Sequence, residues 1–593
     1  MKNALIYTII FISSLYCQCD YDYGDANNDN ALDILDIIII VDVIFDNQSL
    51  NINEIDLNFD ELVNIYDIII LVERILDIFP QVVQIINIDF NFDELQITWS
   101  LSEDYGFSSY NLYYANFIDN DVVLLHSTNN INDTSFIINE FELNEQNYFW
   151  IGIKDFTGCE LIGNQYNYEL PHKNYELDQN GNILNSEFSV SDFKSADQCA
   201  ECHADHYNEW SSSMHSYSMK SPLFFSYKNK TNELHPSTGE RFCMQCHNPA
   251  SYLTGTDLSD YNTPDQLQTA DISQVLKEGI SCDICHTVTG ISETIHTQEN
   301  IAASANYKMY PLGNIKFGSI IDPEPNDFHA SYYLPTYNTS QMCLPCHDLV
   351  VNDVEAEITF TEWNRIPGFS MFGGVSCQDC HMPVKENGYH DHRFIGVDMD
   401  LTIPIEENPL FSEVSNLLSN AAEINFIVDG DSLANSVSGL DSLIIPISVK
   451  SLTAHSLPSG ASFNRESWLE LVVYNDDQII FSSGLVENNE PLDIDVDENL
   501  LLFTSNMYDR DGIKTDNITE IDSLANYSLL AYQERWKYYA IPISPLIQDE
   551  VEITARLLFR SFKPDFIINH HPEFIDNLPV FEIDSINATV NID

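Results

Sequence analysis

The pattern of apolar and polar positions predicts two β-rich parts of the chain. Between residues 82 and 170 apolar and polar residues alternate in runs such as LQITWSL, SSYNLYYAN and YFWIGIKD. A period of two is typical of strands, and the Gly, Asn and Asp residues between the runs are typical of turns. The alternation returns from about residue 425 in SLIIPISVKS, SWLELVVYN and VEITARLLFRSF. We therefore expect one β-sandwich at 82–170 and another at 425–593.

The start of the chain has the pattern of an export signal. Lys2 precedes an apolar run from Ala4 to Leu15, which has the length of a signal-peptide core and is too short to span a bilayer. We predict a signal peptide at 1–19 and a secreted protein, extracellular or at the cell surface, with the periplasm as the alternative. A lipid anchor on Cys17 or Cys19 is disfavoured because Tyr16 and Gln18 are not small.

Two acidic segments follow at Gly24 and Asp56, each leading into an Ile-rich run that we expect to be a helix. Both place oxygen side chains at positions 1, 3, 5, 9 and 12 of a 12-residue loop, a spacing that can wrap Ca²⁺. The alternative is a pair of solvated acidic turns. The predicted ligands are Asp25, Asn27, Asp29, Asp33 and Asp36 in the first loop, and Asp56, Asn58, Asp60, Asn64 and Asp67 in the second.

This repeated loop and helix resembles a dockerin module over residues 20–80. The resemblance implies Ca²⁺ binding and a cohesin-like partner. Position 6 of such loops usually carries Gly for a sharp turn, whereas this chain has Asn30 and Glu61. Asn tolerates a left-handed backbone better than Glu does, so we expect the first loop to bind more tightly. Beyond it, Trp99, Tyr110 and the segment IGIKDFTG resemble a fibronectin type III domain, which implies a spacer at 82–170 without chemistry of its own.

The composition of the chain limits the classes of molecule that can be its partners. The 593 residues suggest about four domains, and 24 Lys and Arg against 92 Asp and Glu give a formal net charge of −68. Such a charge argues against nucleic acid as a partner, because nucleic acid is also a polyanion. Thirteen cysteines are too few for a disulfide scaffold in a chain of this length, so their spacing matters more than their number.

Ten of the thirteen cysteines fall in five CxxCH motifs between residues 186 and 400. Cysteines at i and i+3 with His at i+4 share one face of a helical turn, so two thioether bonds can hold a porphyrin edge while the imidazole binds its iron. This is the attachment signal of c-type haem; zinc sites, the main alternative, do not require a His after every CxxC pair. The motif residues are Cys199, Cys202 and His203; Cys243, Cys246 and His247; Cys282, Cys285 and His286; Cys343, Cys346 and His347; and Cys377, Cys380 and His381.

Five haems in this segment leave only about 40 residues for each, well below the 100–150 residues of an ordinary domain. The porphyrins must then supply much of the core, and we expect short helices, long loops and little sheet. Each iron also needs a sixth ligand, for which the chain offers more histidines than positions. The candidates are His206, His215, His235, His296, His329, His390, His392 and His455.

Residues around the motifs resemble the hydroxylamine-oxidoreductase-like multihaem cytochromes, which include cytochrome c-554-type electron carriers. The matching segments, within about 190–400, are WSSSMHS, EGISCDICHTVTG, FHASYYLPTYNTSQMCLPCHD and GGVSCQDCHMP with HDHRF. The resemblance implies distal ligands at His215, His329 and either His390 or His392, with His296 weaker. TAHSLPSGASFNRESW resembles a segment of domains that follow such regions and makes His455 a candidate. The CxxCK motif of nitrite-reducing relatives does not occur.

The chain is thus expected to be multidomain: a small α calcium-loop module, a β-sandwich, a haem-packed α and irregular domain at 186–400, and a C-terminal β-sandwich. The leading hypothesis is an exported cytochrome that passes electrons through five covalent haems to a redox partner protein or an external acceptor. The alternatives are a haem oxidoreductase of a small nitrogen or sulfur oxyanion with one open iron, and a scaffold protein in which haem is secondary.

Overall fold

The computed structural model describes residues 23–46, 52–57, 60–76, 82–90, 94–104, 106–116, 122–139, 146–155, 158–178, 182–236, 239–291, 307–311, 315–366, 374–438, 442–487, 489–543 and 549–593. The predicted signal peptide, Asn58 and His296 lie outside these residues. The chain divides into two compact units, Met1–Leu170 and Pro171–Asp593. Among the described residues, no helix has the length and apolar character needed to cross a membrane.

The first unit begins with helices that follow the two acidic loops. Their apolar faces form a small core that includes Ile40, Ile70 and Leu71. The last of them begins at a capping box, in which the Asn64 side chain accepts from the Tyr66 amide and the Asp67 carboxylate accepts from the Asn64 amide. These helices are α1 (Ile34–Asp46), α2 (Ile52–Ile55) and α3 (Ile65–Ile75).

Two sheets enclose the second core of this unit. One has the order β1-β2-β5, and the other has the order β4-β3-β6-β7 with β8 beside β6. Trp99, Tyr110 and Phe149 are buried between them, and Cys159 is disulfide-bonded. The strands are β1 (Ile85–Phe90), β2 (Glu94–Trp99), β3 (Phe107–Asn116), β4 (Val123–Thr128), β5 (Ser135–Asn139), β6 (Gln146–Asp155), β7 (Glu160–Ile162) and β8 (Tyr166–Glu169).

The CxxCH region of the second unit consists of short helices and two-stranded sheets. Its apolar cluster includes Phe225, Met244 and Tyr252. The helices are α4 (Ala196–Ala200), α5 (Ala204–Ser211), α6 (Met214–Tyr217), α7 (Pro222–Leu234), α8 (Gly239–His247), α9 (Pro249–Thr254), α10 (Pro264–Thr269), α11 (Cys282–Cys285), α12 (Thr359–Asn364) and α13 (Cys377–His381). The strand pairs are β9 (Tyr175–Leu177) with β10 (Ile183–Ser186), β11 (Val288–Ile291) with β12 (Tyr307–Met309), β13 (Ile315–Gly318) with β14 (Ala330–Tyr333), and β15 (Leu349–Val351) with β16 (Val354–Glu357).

A C-terminal sandwich completes the second unit. A sheet of order β17-β21-β27 and a larger one of order β20-β29-β28-β22-β24-β25 share one apolar core. Its elements are α14 (Phe411–Leu418), β17 (Ala422–Asn425), β18 (Ile427–Val428), β19 (Asp431–Ser432), β20 (Ser436–Val437), β21 (Ser442–Ser451), β22 (Glu466–Asn475), β23 (Gln478–Ser483), β24 (Leu501–Tyr508), β25 (Lys514–Thr515), β26 (Ser523–Asn526), β27 (Glu534–Pro542), β28 (Glu550–Arg560), α15 (Pro564–His570) and β29 (Phe581–Ile592).

Polar contacts join this sandwich to the CxxCH region. Glu362 accepts hydrogen bonds from the Ser456 and Ser459 hydroxyls, each at 2.6 Å. Arg465 pairs with Asp398 at 2.7 Å. The loop that carries Ser456 also carries His455, so these contacts place a histidine of the sandwich beside the CxxCH region.

Candidate functional site

All five CxxCH motifs face one cavity. Its volume is about 2220 Å³, and all fifteen motif cysteines and histidines line it. Ordinary small-molecule cavities measure roughly 300–1000 Å³, so this one has room for several large groups. The motif residues therefore converge on a single site although they span about 180 residues of sequence.

Each motif is locally helical, as the CxxCH spacing requires. In the first, third and fourth motifs the histidine amide donates to the carbonyl of the first cysteine, at 2.8, 2.9 and 3.0 Å. The second and fifth motifs end α8 and α13. An i to i+4 turn brings the cysteines and the histidine to one face, and all ten motif thiols are free. This arrangement fits a porphyrin held by two thioethers.

Cysteines of different motifs contact one another. Hydrogen bonds join Cys199 to Cys282, and Cys346 to Cys246. A third joins Cys377 to Cys343 and lowers the pKa of the Cys377 thiol to about 6. The attachment points of motifs 1 and 3, 2 and 4, and 4 and 5 are therefore neighbours, and motif 4 lies at the junction.

Four motif histidines face a second histidine at nearly constant spacing. A metal–imidazole bond is about 2 Å long and the ring centre lies roughly 1 Å beyond the nitrogen, so two imidazoles on opposite sides of one iron have centres about 6 Å apart. The observed spacings fit that value. The pairs are His203 with His329 at 6.2 Å, His286 with His392 at 6.3 Å, His347 with His215 at 6.4 Å, and His381 with His455 at 6.3 Å.

In two of these pairs, His286 with His392 and His381 with His455, the ring nitrogens are oriented for ligation through Nε2. A carbonyl can only accept, so an Nδ1 atom beside it carries the proton and leaves Nε2 as the bare nitrogen. The contacts of this kind are His286 Nδ1 to Phe317 O at 2.7 Å, His381 Nδ1 to Ile395 O at 2.6 Å, His392 Nδ1 to His390 O at 2.9 Å, and His455 Nδ1 to Ser456 O at 2.9 Å.

Burial keeps several of the imidazoles that line the cavity neutral. It lowers the pKa of His215 to about 3, and the pKa values of His247 and His392 to about 4. Neutral imidazole is the form that binds a metal. The residues present therefore fit the haem groups that the motifs imply.

The second motif differs from the other four. Among the described histidines, none faces His247 at the spacing of the pairs; the ring recorded against it is Phe224, stacked with centres 4.2 Å apart. The Ser218 hydroxyl donates to the His247 carbonyl at 3.0 Å. The His247 imidazole is thus held by packing and by its backbone rather than by a second histidine.

Two predicted candidates, His235 and His390, do not pair with a motif histidine in the described residues. The His206 ring does lie 6.3 Å from the His203 ring, close to the 6.2 Å that separates His203 from His329. His390 contacts the Met382 carbonyl through Nδ1 at 2.6 Å. His206 lies beside Glu209 and the His392 ring, and these three are the one group of at least three His, Cys, Asp or Glu side chains found close enough to share a metal ion where the chain is described. His235 does not line the cavity.

Sequence reasoning missed Glu357. Its Oε1 lies 3.7 Å from His347 Nδ1. Burial lowers the pKa of His347, but this carboxylate outweighs burial and raises it above the ordinary value. An acidic residue at the end of a short strand carries no sequence signal for such a contact.

In the first unit, each acidic loop is closed by its own backbone. Asp25 accepts from the Asn30 amide at 2.7 Å, and Asp56 accepts from the Glu61 amide at 2.8 Å. The carboxylate of position 12 does the same: Asp36 accepts from the Asp33 amide at 2.9 Å, and Asp67 accepts from the Leu57 amide at 2.7 Å.

The two loops have the same backbone at position 6. Asn30 and Glu61 both have φ of 66°, so the expected difference between Asn and Glu does not appear in the turn itself. Asp29 and Asp60 each accept an amide two residues on. Asn27 and Asp33 likewise accept amides of their own loop.

Comparisons with known proteins bear on the CxxCH region. Residues 198–287, which hold the first three motifs, match the family described as cytochrome c554 and c-prime. The match and the five motifs support a multihaem c-type cytochrome. A search of curated proteins finds no match.

Among solved structures, the fold is similar to a penta-haem cytochrome c552 from Thermochromatium tepidum, with 19% identity, 67% of this chain and 99% of that chain covered, and a TM-score of 0.49. An fn3 domain of human contactin 1 is similar over 15% of this chain and 74% of that domain, with 14% identity and a TM-score of 0.12.

Proposed function

We propose that this chain is an exported electron-transfer protein that holds five covalent c-type haems. The observation that carries the proposal is that fifteen motif residues line one cavity while four motif histidines each face a second histidine. Haem iron with two protein ligands exchanges single electrons at a potential set by its surroundings. Two histidines on one iron leave no position for a substrate, which favours a carrier over a catalyst.

Different residues of the chain would hold the porphyrin and the iron. The cysteine pair of each motif would anchor the porphyrin, and the helical turn of the motif places its histidine on the same face as the cysteines. Carbonyls of Phe317 and Ile395 fix the rings of His286 and His381 through Nδ1. Fixed ligands change little between oxidation states, which lowers the cost of electron exchange.

Contacts between the motifs suggest a route for electrons from haem to haem. Motif 1 contacts motif 3 through Cys199 and Cys282, and motif 4 contacts motif 5 through Cys343 and Cys377. Tyr307 interacts electrostatically with cysteines of both motif 3 and motif 4, and so links the first pair of motifs to the second. We propose the order 1, 3, 4, 5, with motif 2 as a branch from motif 4.

Two measurements on the full chain, matured with haem, test the proposal. A pyridine haemochrome assay should give five haems per chain. Low-temperature EPR should show low-spin iron at four motifs. Clearly fewer than five haems, or high-spin iron at two or more motifs, would overturn it.

A second function is favoured by one observation, the absence of a histidine pair at His247 among the described residues. The motif-2 iron would then be open, and the chain would reduce or oxidise a small nitrogen or sulfur oxyanion there. One high-spin signal that disappears on adding nitrite, with turnover by a reduced dye, would support it. Five low-spin signals in the native protein, one of them lost in His296→Ala, would show instead that His296 completes this site.

For the first unit we propose Ca²⁺ binding at the two loops, and a cohesin-like partner that positions the protein outside the cell. The shared turn geometry at Asn30 and Glu61 supports equal folding of both loops. Calorimetric titration of the full chain with Ca²⁺ should detect one or two ions. No heat, and no thermal shift with excess chelator, would exclude the sites.

A further inference from the structure

The proximal histidines differ in what their Nδ1 atoms face. His286 and His381 face backbone carbonyls at 2.7 and 2.6 Å. His347 instead faces the carboxylate of Glu357, at 3.7 Å. That distance is too long for a direct hydrogen bond but lies within ion-pair range, so motif 4 has a charged group where motifs 3 and 5 have neutral dipoles.

Glu357 is held in place and charged by its surroundings. It ends β16, which pairs with β15, and both strands follow motif 4 closely in sequence. Arg465 of the C-terminal sandwich interacts electrostatically with it, and Arg465 is itself fixed by Asp398 at 2.7 Å. The carboxylate lines the same cavity as the motifs, so little water screens it from a group bound there.

A negative charge beside a ligand histidine favours the oxidised, more positive iron. It does so through space and by making the imidazole a stronger donor, which are both recognised ways in which an outer residue tunes a metal. A neutral carbonyl does this less than a full charge does. The five sites therefore need not have equal potentials, and among motifs 3, 4 and 5 it is motif 4 that has a carboxylate facing Nδ1 of its motif histidine.

We propose that Glu357 makes the motif-4 haem more reducing than it would be with a neutral side chain at this position. The inference rests on the proposed electron-transfer function. Motif 4 is joined to motifs 2 and 5 through its cysteines and to motif 3 through Tyr307. A lower potential at motif 4 therefore makes each electron transfer into this junction less favourable. Glu357 is thus a positioning and tuning residue that sets how readily electrons pass between the two ends.

The test is spectroelectrochemical titration of the full haem-loaded chain carrying Glu357→Gln. We expect the largest rise, about 59 mV, in one of the five midpoint potentials, which is a tenfold change in the equilibrium of a one-electron couple. A smaller rise is expected at motif 2, because Glu357 also interacts electrostatically with His247. The matched control is Glu355→Gln on the same strand, where the exposed carboxylate pairs with Arg365 at 2.8 Å; all five potentials should stay unchanged.

A second pair of variants separates charge from packing. Glu357→Asp and Glu357→Asn have side chains of equal length and differ in charge. At one haem, the midpoint potential of the Glu357→Asn variant should be higher than that of the Glu357→Asp variant. This comparison remains informative even if Glu357→Gln does not take up all five haems. Equal potentials in the Glu357→Asp and Glu357→Asn variants would overturn the proposal. If these variants still hold five haems and transfer electrons, the proposed electron-transfer function would be unaffected by that result.

Discussion

The acidic loops of the first unit and the CxxCH region of the second hold their candidate ligand side chains in different ways. In the loops, carboxylates such as Asp36 and Asp67 bond to backbone amides of their own segment, so the local structure is complete in itself. In the CxxCH region the reactive side chains line one cavity of about 2220 Å³. A cavity of that size forms a well-packed core only when bound groups fill it, and we infer that the second unit depends on haem for folding while the first does not depend on Ca²⁺.

The largest effect should come from breaking haem attachment. Cys282→Ala removes one thioether from motif 3, beside Cys199 of motif 1. We expect destabilisation of at least about 3 kcal/mol, the range of large core truncations, seen as loss of soluble protein or a much lower Tm. Cys199→Ala should behave alike. A variant with unchanged Tm and five haems would show that the cavity does not need its contents.

A smaller effect, confined to one iron, should follow removal of a histidine that faces a motif histidine. His329→Ala takes away the ring that lies 6.2 Å from His203. If His329, and not His206 at 6.3 Å from His203, is the second ligand, one iron should become high-spin and bind carbon monoxide. His390→Ala is the matched control, because His390 faces the Met382 carbonyl rather than a motif histidine. Identical EPR spectra of the two variants would contradict the pairing.

The next effect concerns a buried charge near motif 2. Burial raises the pKa of Glu240 to about 7, above its value in an unfolded chain. The folded state therefore holds this proton more tightly, and stability is lost as pH rises from about 4.5 to 7. Glu240→Gln should stabilise the protein at pH 8 by on the order of 2 kcal/mol and by little at pH 4.

Thermal melts at the two pH values check this prediction. Glu233→Gln changes an exposed carboxylate on α7 and should alter neither melt. A Glu240→Gln variant that is less stable at pH 8 would mean that the carboxylate is ionised and paired in the folded state.

The smallest effect should be that of chelator on the loops. If Ca²⁺ binds only after the backbone has closed each loop, removal of Ca²⁺ should lower the Tm of the first unit by a few degrees. Such a shift corresponds to about 1 kcal/mol in a small domain. Asp36→Ala and Asp67→Ala should cost more than chelator does, because each carboxylate also caps backbone amides. Complete unfolding of the first unit by chelator alone would mean that this unit, like the second, depends on its ligand for folding.

Much of the site could be read from sequence because its chemistry is local. Two cysteines and a histidine within five residues share one face of a turn wherever that turn is placed, so the motifs identify the fifteen candidate attachment residues without a fold. The same holds for the two loops, where side chains such as Asp25 reach amides four and five residues away. The alternation of LQITWSL or SWLELVVYN likewise follows from the two faces of a strand.

The tertiary structure alone decided which histidines meet. His329 reaches motif 1, His215 reaches motif 4, and His455 comes to motif 5 from the C-terminal sandwich. The sequence supplied eight candidates without partners, because a ring spacing near 6 Å between residues so far apart in the chain is fixed by packing and not by propensity. Glu357 beside His347 and Phe224 against His247 carried no sequence signal for the same reason: each depends on which surfaces the fold brings together.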